Sequence, residues 1–95
     1  MTKAPRFDAT DYLDSKEAIA EYLSEAFATG DNDVVTRALG AVARVKGMAN
    51  IAKETGLNRE NLYRALSEGG SLEFETVMKV LNSLDMELIA RPKAA

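Results

Sequence analysis

The chain has 95 residues, 46% of them hydrophobic and 28% charged, and a formal net charge of −3. Domains commonly run to about 100–150 residues, so this length suits one modest core over residues 1–95, and the composition excludes a disordered chain. Cysteine is absent, no apolar run approaches the roughly 20 residues of a membrane span, and the start "MTKAPRFDATDYLDS" lacks a signal peptide's apolar stretch, which together predict a cytoplasmic protein without disulfides.

Residues 1–13 read as a flexible arm. Asp14, with Glu17 three residues on, has capping-box spacing, and Ile19, Tyr22, Leu23, Ala26 and Phe27 then recur at helical intervals. Gly30 permits the left-handed turn that ends this helix. Asp31 can cap the next, whose apolar positions are Val34, Val35, Ala38, Leu39 and Val42, and which stops near Gly47. These two make up residues 14–46. A third helix fits Met48 to Thr55, broken at Gly56; a fourth starts at Asn58 as a cap and runs to about Ser67, so that 48–67 form a helix-turn-helix. Gly69 and Gly70 end it. Ser71 can cap a fifth helix over 71–84, helped by Glu73 and Glu75 against its dipole, with Phe74, Val77, Met78, Leu81 and Leu84 facing inward. In "MELIARP", residues 86–92, Met86, Leu88 and Ala90 alternate with Glu87, Ile89 and Arg91 as in a strand. No second strand is evident, so this one would need a partner chain, its own symmetry mate or solvent to pair its backbone. The expected fold is all-α: five helices with a short C-terminal strand or an extended tail.

The charges are unevenly placed. Residues 1–33 carry three Lys/Arg against eight Asp/Glu, whereas between 37 and 64 the bases Arg37, Arg44, Lys46, Lys53, Arg59 and Arg64 face only Glu54 and Glu60. A local basic excess can attract phosphate even on an acidic protein, although such a modest one is also what a solvated helix face carries. In the fourth helix Leu62, Ala65 and Leu66 supply a packing face, leaving Asn58, Arg59, Glu60, Asn61, Tyr63, Arg64 and Ser67 outward. These groups suit a major groove: Arg pairs bidentately with guanine, Asn with adenine, Ser or Tyr with phosphate. Arg59 and Arg64, one and a half turns apart, are the leading candidates for contact. Asn58 is a cap first and a contact second, Asn61 lies on the same helix, and Lys46 and Lys53 suit phosphate. Tyr63 can reach phosphate or lay its ring over a neighbour.

The stretch "ALGAVARVKGMANIAKETGLNRENLYRALSEGG", followed by "LEFETVMKVLNSLDMELIARP" and preceded by "FDATDYLDSKEAIAEYLSEAFATGD", resembles the helix-turn-helix antitoxins called probable addiction-module antidote proteins. That resemblance covers nearly the whole chain. It implies a phage lambda repressor-like domain of the XRE type, a dimer on double-stranded operator DNA that represses its own operon, and a partner toxin resembling the RelE-type ribonucleases. It also places Asn58, Arg59, Asn61, Tyr63 and Arg64 on the recognition helix. One departure stands out: the family often has an asparagine-proline pair after the glycine that ends that helix, where this chain has Ser71 and Leu72 after Gly70. RelE-like toxins bind RNA and are basic, so the acidic run Asp8, Asp11, Asp14, Glu17, Glu21 and Glu25 could face one.

Catalysis has little support, since histidine is also absent, no glycine-rich phosphate loop follows a strand, and the carboxylates of "GDND" read as a helix start. No cofactor and no metal site are expected. Two other functions fit the same residues: a transcriptional regulator with no toxin, and a protein-interaction module that uses the helix pair to hold a partner and does not bind DNA.

Overall fold

A hydroxyl, not a carboxylate, starts the first helix. In the computed structural model, which describes residues 13–67, 69 and 72–94, α1 spans Lys16–Ala28 and its N-cap is Ser15. The extended Ser15 backbone brings Oγ to 3.1 Å from the Ala18 N–H, which it accepts. The box expected on Asp14 is therefore replaced by a cap one residue later, and Glu17 sits in the first turn, where it favours the dipole. Leu13, the last residue of the expected arm, is 2% exposed and belongs to the core; the rest of that arm lies outside the described residues.

Ile19, Leu23 and Ala26 form the buried face of α1. Gly30, at φ 68, turns the chain, and the Asp31 carboxylate accepts from the Asp33 and Val34 N–H groups to open α2, Asn32–Lys46. The remaining helices are α3 (Met48–Thr55), α4 (Arg59–Ala65) and α5 (Phe74–Ser83). α1 packs on α2, and α3 packs on α2, α4 and α5. The largest fully buried side chains are Leu39 and Val42 of α2, Ile51 of α3, Leu62 of α4 and Val80 of α5. Burying each removes an apolar side chain from water, worth about 1.5–3 kcal/mol. All the described regular structure is helical, with five helices and no strand.

Gly40, in the middle of α2, interrupts a run of good helix formers. A Cβ built there would lie 2.7 Å from the backbone carbonyl oxygen of Leu66, at the end of α4. Mid-helix glycine is unfavourable by about 1 kcal/mol against alanine. Here it lets the backbone at Leu66, the C-cap of α4, lie directly against α2.

At the other end, Asp85 holds φ 62, and Met86 donates its N–H to the Leu81 carbonyl oxygen. Aspartate tolerates this left-handed geometry better than most residues. The turn also aims the carboxylate at α1: Lys16 Nζ donates to Asp85 Oδ2 at 2.6 Å, joining the first and last helices.

Three further expectations change. Phe74 is 68% exposed and Met78 41% exposed, not inward. Val77, Val80, Leu81 and Leu84 fill the core side of α5, Met78 lies about 100° round the helix from Val77, and Phe74 opens the helix beyond the core. α4 ends at Ala65 rather than at about Ser67: the Leu66 N–H makes the last bond of α-helical spacing, to Leu62, and Ser67 turns its N–H and its hydroxyl to the Arg64 carbonyl three residues back. The residue flanking α5 is Glu73, which makes no side-chain cap bond, while Ser71 and Gly70 lie outside the described residues. Of the strand or extended tail expected for "MELIARP", the structure has the tail: it pairs with no strand among the described residues.

Two expectations follow for stability. Gly40→Ala removes a flexible residue, yet it should lower stability by about 1–3 kcal/mol through overpacking against a carbonyl that cannot retreat; a thermal melt at or above that of the parent would contradict the contact. The bond to Lys16 holds the Asp85 carboxyl below its ordinary value of 3.8, and the same bond raises Lys16 above 10.5. Its contribution is thus present between those ordinary values, lost as pH falls through the lowered aspartate value and lost as pH rises through the raised lysine value. The stability gap between parent and Asp85→Asn should therefore close in acid, as read by urea melts from pH 7 down to pH 2.

Candidate nucleic-acid interface

The corner between α3 and α4 is built from side chains that satisfy its own backbone. Thr55 Oγ1 donates to the Ile51 carbonyl at 2.7 Å and accepts the Leu57 N–H at 3.2 Å. Between them Gly56 takes the left-handed conformation at φ 75, and its N–H donates to the Ala52 carbonyl. Asn58 then accepts the Glu60 and Asn61 N–H groups on Oδ1 at 2.8 and 3.2 Å, as its expected capping role requires. The N–H groups of Gly56, Leu57, Glu60 and Asn61 are thus all bonded within the corner itself. Buried Ile51 and Ala52 seat α3, and buried Leu62 and Leu66 seat α4.

Every residue expected at the site is exposed: Lys46, Lys53, Asn58, Arg59, Asn61, Tyr63, Arg64 and Ser67. At about 100° per residue, Arg64 and Glu60 point most directly away from the Leu62–Leu66 face. Arg59, Tyr63 and Ser67 line one flank, and Asn61 the other. Arg59 and Arg64 are about 140° apart by the same count, so one arginine marks the flank and the other the crest rather than a shared edge. The Arg59 guanidinium carbon lies 5.7 Å from the centroid of the Tyr63 ring. This contact, typically worth about 0.5–1 kcal/mol at an exposed site, holds Arg59 along the helix. Tyr63 thus carries its neighbour on its ring, while its own 45% exposure leaves it open to solvent.

Among the described residues, Lys46, Lys53, Arg59, Arg64 and Arg44 form no ion pair, even though Glu60 stands four residues before Arg64. Four of the bases have a local reason to be where they are: Arg44 and Lys46, Lys53, and Arg64 sit in the last turns of α2, α3 and α4, where cations oppose the helix dipole. That role leaves their ammonium and guanidinium groups free to meet an anion. On α1, Glu17, Glu21 and Glu25 recur every fourth residue and are exposed, while Asp8 and Asp11 lie outside the described residues. Among the described residues, no cluster of three or more acidic side chains is placed to hold a metal ion.

Sequence reasoning passed over two residues that shape this site. Thr55 precedes a helix-ending glycine, a position from which a hydroxyl can reach the N–H two residues on. Gly40, isolated in a helical pattern, is the usual mark of a close packing contact. Thr55→Val keeps the shape but removes the acceptor of the Leu57 N–H, and Asn58→Ala removes the cap. Each should lower stability by about 1 kcal/mol, with faster amide exchange at Leu57 in the first and at Glu60 and Asn61 in the second; unchanged exchange at those amides would contradict the bonds.

Residues 3–92 match the family model described as "Probable addiction module antidote protein". An uncharacterized protein of Haemophilus influenzae is 41% identical over 81 residues, covering 85% of this chain and 84% of the relative. No solved structure matches the chain. An addiction-module antidote implies a toxin as its partner, and such families are generally not enzymes. Among the described residues, no helix is long and apolar enough to cross a membrane. The match leaves out only the ends of the sequence, and on it the chain belongs to the addiction module antidote proteins.

Proposed function

We propose that this chain is the antitoxin of a type II toxin–antitoxin system, one that binds the operator DNA of its own operon and neutralises a RelE-like ribonuclease toxin. In this reading α3–turn–α4 is a helix-turn-helix of the phage lambda repressor-like, XRE type, with α4 as the recognition helix. The observation that carries it is the outer face of that pair: a corner capped by Thr55 and Asn58 that presents Arg59 held on Tyr63, an Arg64 with no ion pair among the described residues, and the amides of Asn58 and Asn61. Asn58 Oδ1 is occupied by the helix, which leaves its amide nitrogen to donate to a phosphate or base. Arg59 and Arg64 match the acceptors of guanine, and Asn61 those of adenine. Lys46, Lys53, Tyr63 and Ser67 serve as phosphate contacts that set the register. A helix as short as α4 reads only a few base pairs, so the active form is a homodimer whose two helices address two half-sites.

The toxin side of the reading rests on charge. Glu17, Glu21 and Glu25 give the acidic, exposed stripe that a basic RNA-binding toxin would match, and a complex held this way weakens as salt rises. A titration of the toxin complex across salt reads this part.

One observation favours a different reading. Glu60 stands near the crest of α4, where a carboxylate repels phosphate, and a protein-interaction surface would accommodate it more readily than a DNA backbone. A single experiment separates the two. Fluorescence anisotropy on the DNA upstream of the reading frame, against scrambled DNA and across salt, should show a preference for the upstream sequence. Arg59→Ala and Arg64→Ala should each weaken it by about 1–3 kcal/mol, and Lys53→Ala should reduce the salt slope by about 1 without changing sequence preference. Equal binding to both DNAs, or none, would leave the protein-interaction reading in front.

A further inference from the structure

Beyond Asp85 the chain stops folding on itself. Met86 donates its N–H to Leu81, and among the described residues no backbone hydrogen bond engages residues 87–94, which run without turn or bend. Met86 is half-buried against the core, whereas Ile89 is 71% exposed. In an extended strand the backbone groups of alternate residues face the same edge. Met86 directs its N–H back to its own helix and Pro92 has none to offer, so the even-numbered edge is interrupted at both ends. The odd-numbered edge, Glu87, Ile89 and Arg91, is uninterrupted, and its N–H and C=O groups have no partner among the described residues.

Such an edge is a template for another strand, and its side chains indicate which one. Glu87 and Arg91 lie two residues to either side of Ile89, so the segment is complementary to its own reverse. We propose that this edge pairs antiparallel with the same edge of a second copy of this chain, with Ile89 on the two-fold axis and Glu87 of each copy opposite Arg91 of the other. All three odd residues then fall in hydrogen-bonded pairs, giving about six inter-chain backbone bonds. Pro92 and Met86 fall opposite each other in a pair that needs no N–H. Centring the pairing on Glu87 or Arg91 would set like charges face to face, and a parallel register would do the same along both strands. The proposal deepens the homodimer element of the reading above and rests on that element alone, because it is tested by mass without DNA.

Sedimentation equilibrium of the full chain supplies the test. The parent should be a dimer. Glu87→Arg alone and Arg91→Glu alone each place like charges opposite one another at both symmetry-related positions, and each should weaken self-association by about tenfold. An equimolar mixture of these two variants should recover the parental dimer as a heterodimer, because the two basic residues of one chain then face the two acidic residues of the other. Far-UV circular dichroism should be unchanged, since all these positions are exposed. A parent that stays monomeric, a dimer indifferent to both single variants, or a mixture that does not recover would overturn the pairing. So would a dimer lost on Phe74→Ser with Met78→Ser but kept in the tail variants, which would move the interface to α5.

Discussion

The contact on which the rest depends is a missing side chain. Gly40 lets the carbonyl of Leu66 come so near α2 that a methyl group would stand 2.7 Å from it. Backbone against backbone leaves little freedom in the placement of α4. Leu62 and Leu66 then reach the same core as Leu39, Val42 and Ile51, and the outward face of α4 is set by where its inward face must go. The orientation of Arg59, Asn61 and Arg64 is thus a packing result before it is a functional one.

The corner between α3 and α4 shows how few polar groups such a placement requires. One hydroxyl, one left-handed glycine and one amide oxygen bond the Leu57, Gly56, Glu60 and Asn61 N–H groups. Among the described residues, Asn58 is the one outward side chain that bonds the backbone of the turn. The same economy governs the charges: Lys46, Lys53 and Arg64 oppose helix dipoles through their position and keep their charged ends in solvent. A base at a helix C-terminus can stabilise the fold and remain available to an anion, so the stabilising explanation does not exclude the functional one. The Arg59–Tyr63 contact adds a further element, because an arginine already held on a ring loses less freedom on binding.

An addiction-module antidote has a toxin to meet, and in the proposed function it also has DNA to meet, on a chain of 95 residues. Its surface is divided accordingly. The carboxylates of α1 and the bases around α3 and α4 occupy different helices, and the tail, unpaired among the described residues, is a third element. Lys16 and Asp85 tie the first of these to the last, so the start of the acidic helix and the turn leading into the tail are held together.

Much of this was legible locally. The breaks at Gly30, Gly47 and Gly56, the caps at Asp31 and Asn58, and the apolar faces of α1 to α4 follow from hydrogen-bonding and steric needs that act within a few residues, and sequence spacing displays them directly. Thr55 belongs to the same class and was readable in principle. Nonlocal features were not. Phe74 and Met78 are apolar residues of α5 just as Val77 is, and only the fold shows that the core takes Val77, Val80, Leu81 and Leu84 and leaves those two exposed. Ser15 and Asp14 are both competent caps, and the path of the chain into α1 selects the serine. The role of Gly40 requires knowing that Leu66 lies across from it, and the pairing of Lys16 with Asp85 joins residues at opposite ends of the described fold. The sequence by itself determined the helices, their caps and the residue types turned outward, because those depend on short-range forces. Tertiary structure alone decided which apolar residues the core could reach, how closely two backbones could approach, and that the last segment finds no partner among the described residues.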